Sequence, residues 1–204
     1  MIKFNKLFIA LAFVACSTGT TTETGVVING VKWATRNVDM PNTFAAKPES
    51  AGMFYQWNRK TAWNTTDEEV TGWDNTPTTG TTWESANNPC PKGWRVPTKE
   101  ELSLLDTEKV TSEWTTENGI SGRRFTDKTT NKSIFLPAAG FRHNGSDSSD
   151  NGDGALHYAG KDGSYWSSTE TNTYVTYSLG FCSGYACWDS QAKTHGFSVR
   201  CVEE

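Results

Sequence analysis

The sequence predicts an α+β domain, loop-rich, built of mostly short antiparallel strands with one clear helix near residues 98–109. Composition is the first reason. Eighteen glycines, nine tryptophans and an aromatic content of 12% go with abundant Thr, Asn and Ser and with few leucine-patterned stretches. That is the make-up of a protein held by aromatic packing between strands rather than of a helical bundle. The second reason is a period of two. In "TYVTYSLGF", Val175, Tyr177, Leu179 and Phe181 alternate with Tyr174, Thr176 and Ser178, and in "GFSVRCV", Phe197, Val199 and Cys201 fall on one side. The third is local: "RVPTKEELSLLDTEKV" opens on a capping box. The Thr98 hydroxyl is set to accept from the Glu101 amide while the Glu101 carboxylate reaches back to the cap, and Leu102 and Leu105 supply a buried stripe.

In chain order, "VVINGVKWATRNV" places Asn29-Gly30 between two β-prone runs. Asn-Gly takes up the positive φ angles of a type I′ turn, so a hairpin is expected with Trp33 facing the core. "AGMFYQWNRKTAWN" reads as a strand leading into an excursion. Residues 64–89 show no period and are dense in Thr, Asn, Asp, Gly and Pro, as expected of a long surface insertion pinned by Trp73 and Trp83. Beyond the helix, "KSIFLPAAGFR" reads as a buried strand interrupted by Pro137, and "GSYWSST" as another. Strands are thus expected at the two ends of the chain with the helix between them, and the sequence has no internal repeat.

The opening "MIKFNKLFIALAFVAC" sets Lys3 and Lys6 ahead of an apolar run from Leu7 to Ala15, too short to cross a bilayer as a helix and built as a secretory signal. Ala15 followed by Cys16 fits lipoprotein processing with Cys16 as the acylated first residue, although Phe13 stands where a lipobox commonly holds Leu. Cleavage as an ordinary signal peptide is the alternative. The expected organisation is a signal peptide over 1–15, a Thr-rich tether over 16–24 and one domain over 25–204. Lipid would anchor it to the outer membrane of a cell envelope, exposed at the surface. The chain carries a formal charge of −4, and without residues 1–15 it has 17 basic side chains against 23 acidic ones. Nucleic acid is therefore not an expected partner, since a phosphate backbone calls for a basic face. Apart from Cys16, the cysteines Cys90, Cys182, Cys187 and Cys201 allow three connectivities and agree with export.

Together, "INGVKWATRNV", "FYQWNRK", "NNPCPKGWRVPTKEEL", "LPAAGFR", "GSYWSST" and "GFSVRCV" stand in the order and spacing of the Fibrobacter succinogenes major paralogous domain, which the chain resembles over nearly its whole mature length. The resemblance implies a C-type lectin-like fold, distantly akin to the formylglycine-generating enzyme and to phage and bacterial variable receptor proteins. It implies an envelope lipoprotein, and a structural disulfide between Cys90 and Cys201, which match the family's usual cysteines. It implies no activity, because fold and location are what such a family conveys.

Cys182 and Cys187, spaced C-x4-C, do not match that pair, and three readings stand. One is a second, local disulfide closing a four-residue loop. Another is a soft-metal site with His195 as third ligand. This borrows from formylglycine-generating enzymes, which hold copper with such a pair close behind a "GSW"-like strand, whereas Cys182 follows Trp166 by sixteen residues. The third starts from the fourteen residues between Phe181 and Gly196, too many for a tight hairpin and expected to form a long functional loop. Relatives are rich in Asn and Ser here, and the scatter in this chain resembles variable regions diversified by retroelements that mutate adenines. Tyr185 and Trp188 among small polar neighbours have the make-up of a paratope; the plain alternative is that they pack over the sheet. The expected binding face takes Tyr174, Thr176 and Ser178 from the outward side of the preceding strand. To these it adds Cys182, Ser183, Tyr185, Cys187, Trp188, Asp189, Ser190, Thr194 and His195.

Other candidates are weaker. In "DSSDNGDG", Asp147, Asp150 and Asp153 are three apart, unlike the alternating ligands of an EF-hand, and a solvated loop is expected rather than a calcium site. His143 and His157 stand apart from any nucleophile and read as structural or surface residues. No phosphate-binding glycine motif or HExxH occurs. The expectation is an envelope-anchored, non-enzymatic protein that binds a protein or glycan ligand without metal or cofactor. The alternatives are a structural or adhesive surface protein without a dedicated ligand site and, third, a copper-dependent oxidase-like enzyme.

Overall fold

The computed structural model, which describes residues 23–145 and 153–204, starts with the expected hairpin. Asn29 and Gly30 take φ angles of 47° and 86° and fold β1 (Val26–Ile28) back as β2 (Val31–Trp33). Trp33 is fully buried. The signal segment, Cys16 and the tether as far as Thr22 lie outside the described residues, as do Asp147 and Asp150. Glu23, counted in the tether, belongs to the folded unit. Its carboxylate accepts from the amides of Gly25 and Thr35 at 3.0 Å each and from Arg36 Nε at 2.9 Å. Burial raises the pKa of this group, but the hydrogen bonds outweigh it and hold the carboxyl below its usual range.

β3 (Phe54–Gln56) and β4 (Ala62–Trp63) come next. The expected insertion then runs to a single 3-10 turn at Ser85–Asn87, and the two expected tryptophans pin it. Trp73 packs on Trp63 with ring centroids 4.9 Å apart, and Trp83 stands edge-on to Trp57 at 6.0 Å. β5 (Trp94–Arg95) leads to α1 (Lys99–Ser103). Then follow β6 (Val110–Glu117), β7 (Ile120–Asp127), β8 (Ser133–Pro137), β9 (Phe141–Arg142) and β10 (Leu156–His157). The chain closes with β11 (Gly163–Glu170), β12 (Val175–Phe181), β13 (Ala186–Ala192), β14 (Gly196–Ser198) and β15 (Val202–Glu203).

The α+β expectation fails here. The described residues form fifteen strands in three sheets against one helix of five residues, and this nearly all-β arrangement gives a C-type lectin-like fold no support. The capping box is present as expected, with both reciprocal bonds made. The helix nevertheless stops after little more than a turn. Leu104, Leu105 and Asp106 donate to carbonyls three residues back, a tighter winding that is not sustained for long. Ser103 Oγ bonds back to the Lys99 carbonyl at 2.7 Å, and Thr107 Oγ1 bonds back to the Leu104 carbonyl at 3.4 Å, so both side chains compete with the backbone ladder. Leu102 and Leu105 are both buried, but a pair three apart is satisfied by a single turn and does not require a twelve-residue helix.

The small sheet runs β1-β2-β15-β5, and a separate meander runs β6-β7-β8. The large sheet runs β10-β9-β14-β11-β12-β13, with β3 and β4 added on β14. All its pairings are antiparallel except β11 with β14. One core cluster gathers Trp33, Leu102, Leu105, Phe125, Leu136 and Phe181; another gathers Trp57, Trp94, Trp166, Phe197 and Val199 around the disulfide. That bond joins Cys90 to Cys201 across 111 residues, as the resemblance implied. Between β14 and β15 the chain passes from the large sheet to the small one, and Arg200 fixes the crossing. Its guanidinium donates to Asn37 Oδ1 at 2.9 and 2.8 Å and to the carbonyls of Ala34 and Phe135 at 3.2 and 3.0 Å. Burial pulls its pKa down to about 10.

Candidate functional site

The segment expected as a long loop is mostly strand. β13 pairs with β12 in unbroken register from Val175↔Ala192 to Phe181↔Ala186, and the turn is closed by Cys182 N donating to Tyr185 O at 3.0 Å. Directly opposed residues share a face. Leu179↔Trp188 and Tyr177↔Ser190 therefore face one way, and Ser178↔Asp189, Gly180↔Cys187 and Thr176↔Gln191 the other.

The first face is covered. Trp188 packs half-buried against the core beneath α1, its indole N–H donating to Asp106 Oδ2 at 3.1 Å, and the Lys99 ammonium sits 3.6 Å over the Tyr177 ring. Trp188 thus follows the plain alternative and packs. Two residues placed on the outward side of β12 are also buried: Thr176, whose hydroxyl donates to the Thr169 carbonyl at 2.6 Å, and Ser178. Thr194 and His195 are buried as well. Of the expected set, Tyr174, Ser183, Tyr185, Asp189 and Ser190 are exposed, and Cys182, Cys187 and Trp188 are half-buried.

The second face opens into a shallow concavity of about 160 Å³. It is lined by the small residues Gly163, Ser164, Ser178 and Gly180 together with Phe141, Asp162, Phe181, Cys182, Tyr185, Cys187, Asp189 and Gln191. Tyr185 is 62% exposed over it. Burial raises the Asp162 carboxyl above its usual range. The Cys187 thiol is pushed up, by burial first and then by the charges of Asp189, Cys182 and Asp162. β13 ends the sheet, so beside the concavity its outer edge presents backbone groups that no neighbouring strand of the described residues takes up.

The structure also joins what the sequence left apart. All three histidines of the chain gather around Phe141, with ring centroids 4.7 Å apart for His143 and His195 and 5.5 Å for His143 and His157. Phe141 lies 5.9 Å from both His157 and His195. His143 Nδ1 accepts from the Gly145 amide, while His157 Nε2 and His195 Nδ1 are buried without a hydrogen-bond partner among the described residues. Burial, and then the charges of His143 and His157, pull the His195 pKa down to about 4. Tyr158, exposed and held at φ 54°, stacks on Phe141 at 5.9 Å. No signal in the sequence announced this cluster, because its members come from β9, β10 and the turn before β14. Among the described residues, no group of three or more His, Cys, Asp or Glu side chains is placed to hold a metal ion.

A wider groove of about 630 Å³ lies elsewhere, between residues 46–51, the β6–β7 turn at Asn118–Ser121, Ala138-Ala139 and Ala159-Gly160. Its lining is mostly alanine, glycine, serine and proline. Ile120 is its one large apolar side chain, and Asn118 Nδ2 donates to the Glu49 carboxylate at 3.0 Å.

Residues 23–203 match the family model described as the Fibrobacter succinogenes major domain. The chain belongs to that family. In this major domain the match takes in Glu23 and runs to the last strand, so the disulfide, the Arg200 crossing and the β12–β13 hairpin all fall within it. No curated protein and no solved structure matches the chain.

Proposed function

We propose that this major domain is a non-enzymatic binding module, anchored in the cell envelope through an acylated Cys16, that takes a macromolecular or glycan ligand on the open face and edge of the β12–β13 hairpin. The observation that carries this reading is the pairing of a small-residue concavity with Tyr185 standing exposed over it beside an unpaired strand edge. An exposed tyrosine offers broad contact area at low entropic cost, and the exposed Ser183 and Asp189 nearby supply adaptable hydrogen bonding. The wider groove has no aromatic side chain in its lining, which is why the hairpin is the better candidate. The copper-oxidase alternative gains no comparable support. His195, the third ligand it needed, is turned into the Phe141 cluster rather than toward the two thiols.

The test is a glycan and protein array probed with residues 17–204 and with a Tyr174→Ala, Tyr185→Ala double variant. Binding by the parent chain that falls at least tenfold in the double variant supports the hairpin face; binding retained in full rejects it. A parent chain that binds nothing on either array favours the structural or adhesive reading.

A further inference from the structure

We infer that Cys182 and Cys187 form a second, reversible disulfide across the open end of the β12–β13 hairpin, so that its concave face exists in a dithiol and a clipped form. This does not depend on the binding reading. Both cysteines are unbonded in the structure and half-exposed, and both line the same concavity. Register explains why. Cys187 stands opposite Gly180, and Cys182 is two residues further along β12's line on the same face, next to the turn it closes with Tyr185. The two are diagonal neighbours, a relation that sets Cα atoms about 7–8 Å apart. A disulfide spans at most about 6.8 Å, so closure asks for a contraction of about 1 Å. The tip Ser183-Gly184 is exposed and able to supply it.

The two sulfurs lie beside glycines and are not crowded. A β-carbon added at Gly180 would lie 3.6 Å from Cys187 Sγ, and one at Gly184 would lie 4.0 Å from Cys182 Sγ. These are ordinary contact distances, so nothing at either position presses on the sulfurs. The setting is oxidising as well, because Cys90 and Cys201 are already joined in the same molecule. Most buried thiols escape such conditions by being inaccessible; these two are not.

The chemistry balances with a small-molecule disulfide such as oxidised glutathione as oxidant. The Cys182 thiolate attacks one of its sulfurs, releasing one thiol and leaving a mixed disulfide. The Cys187 sulfur then displaces the second thiol and forms the internal bond. Overall, two cysteine thiols lose two protons and two electrons, and one disulfide becomes two thiols. Cys187, whose thiol is held protonated by burial and by neighbouring carboxylates, is the poorer first nucleophile and takes the second step.

The test uses the purified full chain carrying Cys16→Ser, which leaves Cys182 and Cys187 as its two cysteines outside the Cys90–Cys201 bond, equilibrated over a series of reduced-to-oxidised glutathione ratios. It is read by free-thiol counts and by mass spectrometry of non-reduced peptides. The expected result is a monomer that loses both free thiols together, yields a peptide pair linked Cys182 to Cys187, and regains the thiols on return to reduced glutathione. A Cys187→Ser variant should stop at a glutathione adduct on Cys182. Two thiols that persist in excess oxidised glutathione overturn the inference, as do two separate adducts on the parent chain or dimers in place of the internal bond. A Cys182→Ser, Cys187→Ser double variant with an intact Cys90–Cys201 bond and unchanged thermal unfolding shows that the readout is not a failure to fold.

Discussion

Two neighbouring stretches of the C-terminal region, 182–192 and 196–202, contain three of the chain's cysteines and meet opposite fates. From Gly196 to Val202 every residue is buried; the one cation among them has four hydrogen bonds to Asn37, Ala34 and Phe135, and the one cysteine is bonded to Cys90. From Cys182 to Ala192 no residue is fully buried, the cysteines are unbonded, and the strand that follows the turn, β13 with Cys187, is the last of its sheet. The difference is one of neighbours. β14 is paired with β3, β9 and β11, whereas β13 has β12 alone. A stretch held from several sides specifies the fold, and one held from a single side is free to vary without endangering it.

The largest test of this contrast is Arg200→Met. It removes a guanidinium that serves Asn37 Oδ1 and two buried carbonyls, leaving acceptors unsatisfied in the core. A loss of about 3–5 kcal/mol is expected in urea unfolding, and a loss under 1 kcal/mol would show that the crossing is not where the framework is held.

Next in size is the response to acid at the junction of the two stretches. His195 has a native pKa of about 4 against about 6.5 for an unfolded histidine. The unfolded chain therefore takes up a proton as pH falls below 6.5, while the native protein does not until pH 4. Stability attributable to His195 is complete above pH 6.5 and declines through that window, by up to about 3 kcal/mol. Carboxylates add their own acid sensitivity, so the measurement is the difference between the parent chain and His195→Phe. The variant should show a shallower decline between pH 6.5 and 4, and parallel curves would contradict the assignment.

Within the hairpin the contrast is finer. Trp188→Ala strips a side chain that packs half-buried beneath α1 and donates to Asp106, and should cost about 1–2 kcal/mol. Tyr185→Ala, at an exposed turn, should change stability by less than about 0.5 kcal/mol. Equal losses in thermal unfolding would mean that the two aromatics do not divide into a packed and a presented one.

The parts of the fold that were legible are those whose signal is local. Asn29-Gly30 dictates its turn because few other pairs accept two positive φ angles, and Thr98 with Glu101 dictates a helix start because the two side chains meet only there. How far that helix ran was not legible, since Leu102 and Leu105 suit one tight turn as well as the beginning of a longer run. The β6–β7 hairpin is hard to read although Asn118-Gly119 repeats the signal of Asn29-Gly30, with φ angles of 48° and 84°; its strands are polar enough, as in "TSEWTTE", to hide the alternation. The same weakness disguised β13 as a loop. "ACWDSQA" carries only one large apolar residue, so nothing in it marks a strand until β12 is laid beside it. For the site, exposure at Tyr174 and Tyr185 was readable, but burial of Thr176, Ser178, Thr194 and His195 was not, because the covering chains come from distant parts of the sequence. The histidine cluster needed three such segments at once.

The most direct test of the central claim is a backbone NMR titration of the full chain with whichever array ligand binds best. Shift changes concentrated at Ser183–Ser190 and Asp162–Ser164, with Phe197–Val202 and the Ala138-Ala139 groove left unmoved, are what a presented hairpin on a fixed framework predicts. Changes centred on residues 46–51 and 118–121 would move the binding site to the wider groove and contradict it.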